Sequence, residues 1–146
     1  MSQSRDVSKL AVISPEVRSR MMRSIRKEHT KPERVVRRMV RELGFGYRLY
    51  GKDLPGNPDI VLRKRRKVIF VHGCFWHQHS GCGLAKRPNA RPEYWLPKFA
   101  RTQERDRTAL IALERSGWNA LVVWECELDA PSALNAKLKR FFGVSP

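Results

Sequence analysis

The residues best suited to chemistry are concentrated in one short stretch. Cys74-Phe75-Trp76-His77-Gln78-His79-Ser80-Gly81-Cys82 puts two cysteines and two histidines into nine residues. Tetrahedral zinc takes four thiolate or imidazole ligands, and ligands drawn from one tight loop fix its geometry. Cys126, the third cysteine, directly follows an apolar run and could reach the loop from across a sheet. A Cys3His set is closed, leaving no position for substrate, and so predicts a structural metal. His77 and His79 both qualify as the histidine ligand, and spacing leaves that choice open. An odd cysteine count also suits thiolate ligation in a reducing compartment better than a disulfide framework. The plainer alternative is a set of ordinary buried thiols.

A second group of residues suits phosphodiester hydrolysis, which needs a carboxylate for a hard cation and a base for water. Asp59 follows Pro58 at the start of one apolar run, and a second run ends at Phe70-Val71-His72. Paired as a hairpin, that end lies beside Asp59. A backbone carbonyl there becomes a second oxygen ligand for magnesium, which takes few protein ligands and several waters. His72 and His77 bracket the cysteine loop and would be held by it against a phosphate. Singly, each residue has a simpler reading. Pro-Asp is common in turns, Glu33 completes a capping box with Thr30, and histidines in metal loops are often ligands or their partners. The expectation of catalysis rests on their combination and order.

The elements that must position these groups can be read from periodicity and punctuation. Ser14-Pro15-Glu16 opens a basic helix to about Lys27, and Thr30-Lys31-Pro32-Glu33 opens a second. The second helix has an apolar face of Val36, Met39, Val40 and Leu43 and stops at Gly44. A short strand over residues 45–49 and a turn-rich loop over 51–58 lead into two strands, 59–62 and 67–71, joined by the basic turn Arg63 to Arg66. Residues 72–97 read as irregular. A helix follows over Lys98 to Ser116, then a strand at Ala120-Leu121-Val122-Val123-Trp124, apolar enough for burial on both faces, and a helix over Pro131 to Phe142. The order predicts an α/β fold, a mixed β-sheet flanked by helices. Residues 1–14 form a tail that is loose when alone, and residues 15–146 form a single domain.

The charge balance narrows the partner. Thirty Lys and Arg stand against fourteen Asp and Glu, for a net charge of +16 and a pI near 10.7. Such a field usually meets a polyanion, and nucleic acid gains affinity through the counterions it releases. No apolar run approaches the roughly 18 residues of a membrane span, and no secretory signal opens the chain. The expectation is a cytoplasmic DNA-binding protein, monomeric by default and not bound to membrane. In such a protein Phe75, Trp76 and Trp95, beside a rigid metal loop, become candidates for insertion between base pairs.

Leu54-Pro55-Gly56-Asn57-Pro58-Asp59, followed by Val68-Ile69-Phe70-Val71-His72-Gly73-Cys74-Phe75-Trp76-His77, closely resembles the very-short-patch-repair DNA mismatch endonucleases. Arg23-Ser24-Ile25, Tyr94-Trp95, Glu104-Arg105-Asp106-Arg107 and Val123-Trp124-Glu125-Cys126 fit the same pattern. The resemblance implies a restriction-endonuclease-like core with a structural zinc loop. It implies magnesium-dependent nicking of double-stranded DNA on the 5′ side of the thymine in a T:G mismatch, the product of 5-methylcytosine deamination. Asp59 would hold Mg2+ through its carboxylate and Val71 through its carbonyl. His77 would assist the attacking water with Asp106 as partner, His72 would sit near the phosphate, and Glu33 would orient water at the metal. Zn2+ would be bound by Cys74, His79, Cys82 and Cys126. Phe75, Trp76 and Trp95 would form the intercalating wedge. Met22, on the helix over residues 15–28, would enter the opposite groove and clamp the duplex. The resemblance also implies a nucleoid location beside mismatch-repair proteins and a cytosine-5 methyltransferase. The family often has Thr at the position of Val71, a change that a carbonyl ligand tolerates, and Thr102 stands where Asn is expected. The competing reading is a zinc-stabilised DNA-binding module without chemistry.

Overall fold

The structure, a computed structural model, describes residues 28–86 and 90–144. The expected tail, the basic helix over residues 15–28 and Met22 lie almost wholly outside the described residues. Helix α1 (Lys31–Glu42) starts where Thr30 accepts a hydrogen bond from the Glu33 backbone N–H at 3.3 Å, with Pro32 in the first turn. Val36 and Val40 are fully buried, and the apolar face is the one the spacing predicts. Strands β1 (Arg48–Leu49), β2 (Ile60–Leu62), β3 (Lys67–His72) and β4 (Asn119–Trp124) form one sheet in sequence order. The pairs β1–β2 and β2–β3 are antiparallel, whereas β3–β4 is parallel. A 3-10 turn over Arg63–Arg65 closes the β2–β3 hairpin, with Arg66 in the left-handed region at φ 53°. The parallel step from β3 to β4 needs a crossover, and helix α2 (Pro92–Arg115) supplies it. Helix α3 (Pro131–Phe142) ends the described fold.

The sheet is covered on both faces. Ile60, Leu62, Ile69 and Val123 pack with Val36 and Val40 of α1 and with Leu134, Leu138 and Phe142 of α3. Val61, Val68 and Phe70 point the other way and pack with Leu113 of α2. Alternate residues of β2 and β3 therefore feed two cores, and their sequences are apolar throughout. Burying both faces fixes the hairpin register, because a slip of one residue would exchange them. That register fixes what stands at the strand ends.

Three local expectations are corrected. The crossover helix begins at Pro92 rather than Lys98, with Pro97 inside it. Proline at the first turn is favourable, and one lost backbone hydrogen bond near the helix start is tolerated when Phe99 is buried against the loop below. Strand β4 is not buried on both faces, since only Val123 is fully buried. It pairs with β3 and has no further strand beyond it among the described residues. The Thr30–Glu33 capping box is half made: the Glu33 carboxylate turns away from Thr30 to other donors. No described helix is long and apolar enough to cross a membrane.

Candidate active site and metal centre

The cysteine loop folds on itself through backbone hydrogen bonds. His77 N–H donates to Gly73, His79 N–H to Cys74 and Cys82 N–H to His79. Gln78 takes a positive φ of 50° at the turn. From the other side, Cys126 lies in the 3-10 segment Glu125–Asp129 that follows β4. Glu127 pins that segment by accepting from the Trp124 N–H and from Lys137 Nζ, which also donates to the Val122 carbonyl. Glu125 Oε1 ties the two segments together by accepting from the Cys74 N–H.

The result is a cluster of Cys74, His79, Cys82 and Cys126 whose ligand atoms lie within 4.8 Å of one another. A tetrahedral zinc would hold sulfur and nitrogen roughly 3.6 Å apart. Cys74 Sγ and Cys126 Sγ lie 3.7 and 3.4 Å from His79 Nδ1. The donor set fits zinc, and four protein ligands leave no open position. Burial pushes the Cys74 thiol up to about 12, so this sulfur loses its proton in exchange for a cation rather than to water. His79 is the histidine that joins the cysteines. His77 faces the other way.

The hairpin register brings Asp59 to the end of β3. Asp59 Oδ2 accepts the Val71 N–H at 2.6 Å, and the Asp59 N–H donates to the Ile69 carbonyl. Asp59, Val71, His72, His77, Asp106 and Glu33 line one cleft of ≈ 360 Å³. Gly56, at φ +77°, closes its rim. A Cβ there would stand 2.6 Å from the Ala109 Cβ, so only glycine lets the loop lie against α2. Burial pushes the Asp59 carboxyl up to about 7; the Val71 hydrogen bond opposes the rise and the Glu33 charge adds to it. A half-buried acid next to a second carboxylate is the environment that a hard cation relieves. The donors fit magnesium on that ground.

His72 and His77 stack face to face, with centroids 3.8 Å apart and planes 1° from parallel. Asp106 serves both: its Oδ2 is 2.6 Å from His77 Nδ1 and its Oδ1 is 3.9 Å from His72 Nε2. An ionised carboxylate can only accept, so His77 Nδ1 is the donor in this contact. Burial, then the neighbouring His77, pulls His72 down to about 4, so it is neutral at physiological pH. These three residues also hold ligand atoms within 4.8 Å. Parallel stacked rings, however, aim their lone pairs along separate lines rather than at one point, so the trio suits proton handling better than a metal. Asp106→Asn should keep the fold, release the His77 tautomer and slow strand cleavage by on the order of 10²–10⁴-fold; single-turnover kinetics with unchanged DNA affinity would check this.

Trp124, which the sequence did not single out for the site, connects the two centres. It stacks on His79 at 4.1 Å and meets the His72 ring edge-on at 5.2 Å. A tryptophan at a strand end carries no signal of this by itself. Arg105 and Thr102 of α2 also line the cleft. Beyond His77, Phe75 packs edge-to-face on Trp76, Trp95 and the buried Phe99 at 5.1–5.5 Å. Phe75, Trp76 and Trp95 are each only partly buried, so an aromatic cluster anchored in the core reaches solvent beside the cleft.

Comparison with known proteins points in one direction. Residues 10–83 match the model of the family described as DNA mismatch endonuclease Vsr. The chain is 45% identical to the type II nicking enzyme V.XorIIP of Xanthomonas oryzae pv. oryzae over 133 residues, covering 91% of this chain and 97% of that one. It is 42% identical to the type II nicking enzyme V.NmeAIP of Neisseria meningitidis over 123 residues, 84% and 87% of the two chains. It is also 43% identical to the DNA mismatch endonuclease Vsr of Escherichia coli K12 over 111 residues, 76% and 70% of the two.

Proposed function

The chain belongs to the family of Vsr DNA mismatch endonucleases and is a DNA endonuclease, and from that premise we propose that it nicks duplex DNA on the 5′ side of the thymine in a T:G mismatch, using magnesium. The observation that carries this reading is a single cleft in which a half-buried Asp59 sits against the end of β3, with Glu33 on one side and an Asp106-set His77 on the other. Mixed sheet and cleft together support a restriction-endonuclease-like core.

Asp59 and the Val71 carbonyl would hold magnesium, which when bound supplies positive charge to the phosphate and lowers the pKa of water. Glu33 orients water toward the phosphorus. His77 takes the proton of the attacking water on Nε2, and Asp106 stabilises the imidazolium that forms. His72 packs beneath His77 and, being neutral, adds no charge that would oppose that protonation. The zinc cluster of Cys74, His79, Cys82 and Cys126 holds the histidine loop rigid.

Phe75, Trp76 and Trp95 form the wedge that enters the base stack. Unstacking a step costs a few kcal/mol, and a T:G wobble pair requires less than a matched pair, so the wedge discriminates by deformability. Residues 15–146 act as one endonuclease domain, with the basic segment over residues 15–28, Met22 included, clamping the far groove. Mismatch-repair proteins and a cytosine-5 methyltransferase are the natural companions of this activity.

The test is an end-labelled duplex with a T:G pair beside its T:A counterpart, each incubated with the zinc-loaded protein and magnesium. A single break immediately 5′ of the mismatched thymine is expected. Equal cutting of both duplexes would remove mismatch specificity. Binding with no cutting of either would leave only a DNA-binding module.

A further inference from the structure

Around Glu33 lies a hydrogen-bonded group, Tyr50, Arg37 and His29, that the reaction as described does not use. Glu33 is buried, and its Oε1 accepts from the Tyr50 hydroxyl at 2.8 Å, from Arg37 Nη2 at 3.2 Å and from the His29 backbone N–H at 3.1 Å. Arg37 Nη2 also donates to the Tyr50 oxygen at 2.7 Å, and Arg37 Nη1 lies 3.1 Å from His29 Nδ1. All three bonds to the carboxylate land on one oxygen, and the residue lines the cleft that holds Asp59.

The clamp is also tied to Asp59 through the backbone. Tyr50 N–H donates to the Asp59 carbonyl at 3.1 Å, which extends the β1–β2 ladder by one bond beyond Leu49. Tyr50 itself takes a positive φ of 54°, a backbone conformation that a bulky residue rarely adopts. Arg37 Nε is buried with no partner among the described residues, so the guanidinium gives up one hydrogen bond to keep its two terminal nitrogens in place. Strain at Tyr50 and an unmet donor on Arg37 are both located where two side chains converge on Glu33. Burial and the Glu33 contact raise the Tyr50 hydroxyl above its ordinary value, which keeps it a donor through the neutral range.

We propose that Tyr50 and Arg37 are positioning residues for cleavage, gripping Oε1 of Glu33 so that its other oxygen is held toward the cleft beside Asp59. The proposal rests on the nuclease reading and adds to it the pair that aims one of its carboxylates. Neither residue touches the substrate; both act through Glu33.

Tyr50→Phe removes only the hydroxyl. It should lower kcat for nicking by about tenfold, the scale of the lost hydrogen bond to the charged Glu33, with KM for DNA unchanged. The bonds that the hydroxyl accepts from Arg37 Nη2 and the His29 N–H are lost as well, so the melting temperature falls; a purely structural role would lower the melting temperature and leave kcat of the folded protein at the wild-type value. Glu33→Asp, whose shorter side chain withdraws from Tyr50, gives the second arm: adding Tyr50→Phe to it should bring no further loss, because the contact is already broken. Wild-type kcat in Tyr50→Phe overturns the proposal. So does an equal tenfold loss in the Glu33→Asp background. Absence of nicking by the unmodified protein on any duplex would instead overturn the nuclease reading.

Discussion

Asp59→Asn is expected to abolish nicking, by at least about 10³-fold, and at the same time to stabilise the magnesium-free protein above neutral pH. The loss follows from removing the charged ligand of the cation, whose contribution is several kcal/mol of transition-state stabilisation. The gain follows from the same burial that serves the site. In the folded protein burial raises the Asp59 carboxyl from 3.8 to about 7. Between those values the folded state holds a proton that the unfolded state has released, so this group's contribution to stability falls as pH rises from about 4 to about 7. Each pH unit is worth about 1.4 kcal/mol, for a total on the order of 4 kcal/mol. His72 acts in the opposite sense, with a folded value near 4 below its ordinary 6.5, so only the comparison with Asp59→Asn isolates Asp59. The asparagine is close in shape and its oxygen can still accept the Val71 N–H. Urea denaturation in magnesium-free, zinc-retaining buffer should find the variant more stable at pH 8 and equal near pH 4. Equal stability at pH 8, or retained nicking, would contradict this account.

Cys126→Ala should cost the protein its zinc and much of its stability. Structural zinc contributes about 10–16 kcal/mol of apparent folding free energy in small finger peptides at neutral pH. Here the centre joins the histidine loop to the segment after β4, two parts of the chain otherwise linked by the Glu125–Cys74 hydrogen bond and the Trp124–His79 stack. Cys74 is fully buried, so losing the ion leaves thiols and an imidazole crowded in the interior. The variant should bind less than one zinc per chain and melt more than about 10 °C lower. Nicking should fail with it, since His77 is carried on the loop. A Cys126→Ala protein with full zinc content and unchanged melting would show that the fourth ligand comes from elsewhere.

The parts legible in the sequence are those set by local chemistry. Thr30 and Pro32 mark the start of α1, and two apolar runs joined by a short basic turn place Asp59 next to Val71, because a hairpin with two buried faces admits one register. Cys126 was readable as a partner of the loop because an apolar run ended just before it. What was not legible depends on contacts distant in sequence. Glu33 looks like half of a capping box, yet its carboxylate goes to Tyr50, seventeen positions away. The start of α2 was hidden by Pro97, a residue that ends helices in isolation but is accepted here above a buried Phe99. The stacking of His72 on His77, and Trp124 between them and the zinc loop, follow from the parallel β3–β4 pairing, which sets His72 opposite Trp124. No spacing within the chain announces that pairing.

The central claim is that Asp59 at the end of β3 makes a binding place for a hard divalent cation distinct from the zinc. Manganese, which takes oxygen ligands and reports its own binding by electron paramagnetic resonance, can be titrated into the zinc-loaded protein and its Asp59→Asn variant. One manganese should bind per chain to the first and none to the second, with one zinc retained in both. Equal manganese binding by the two proteins, or none by either, would contradict it.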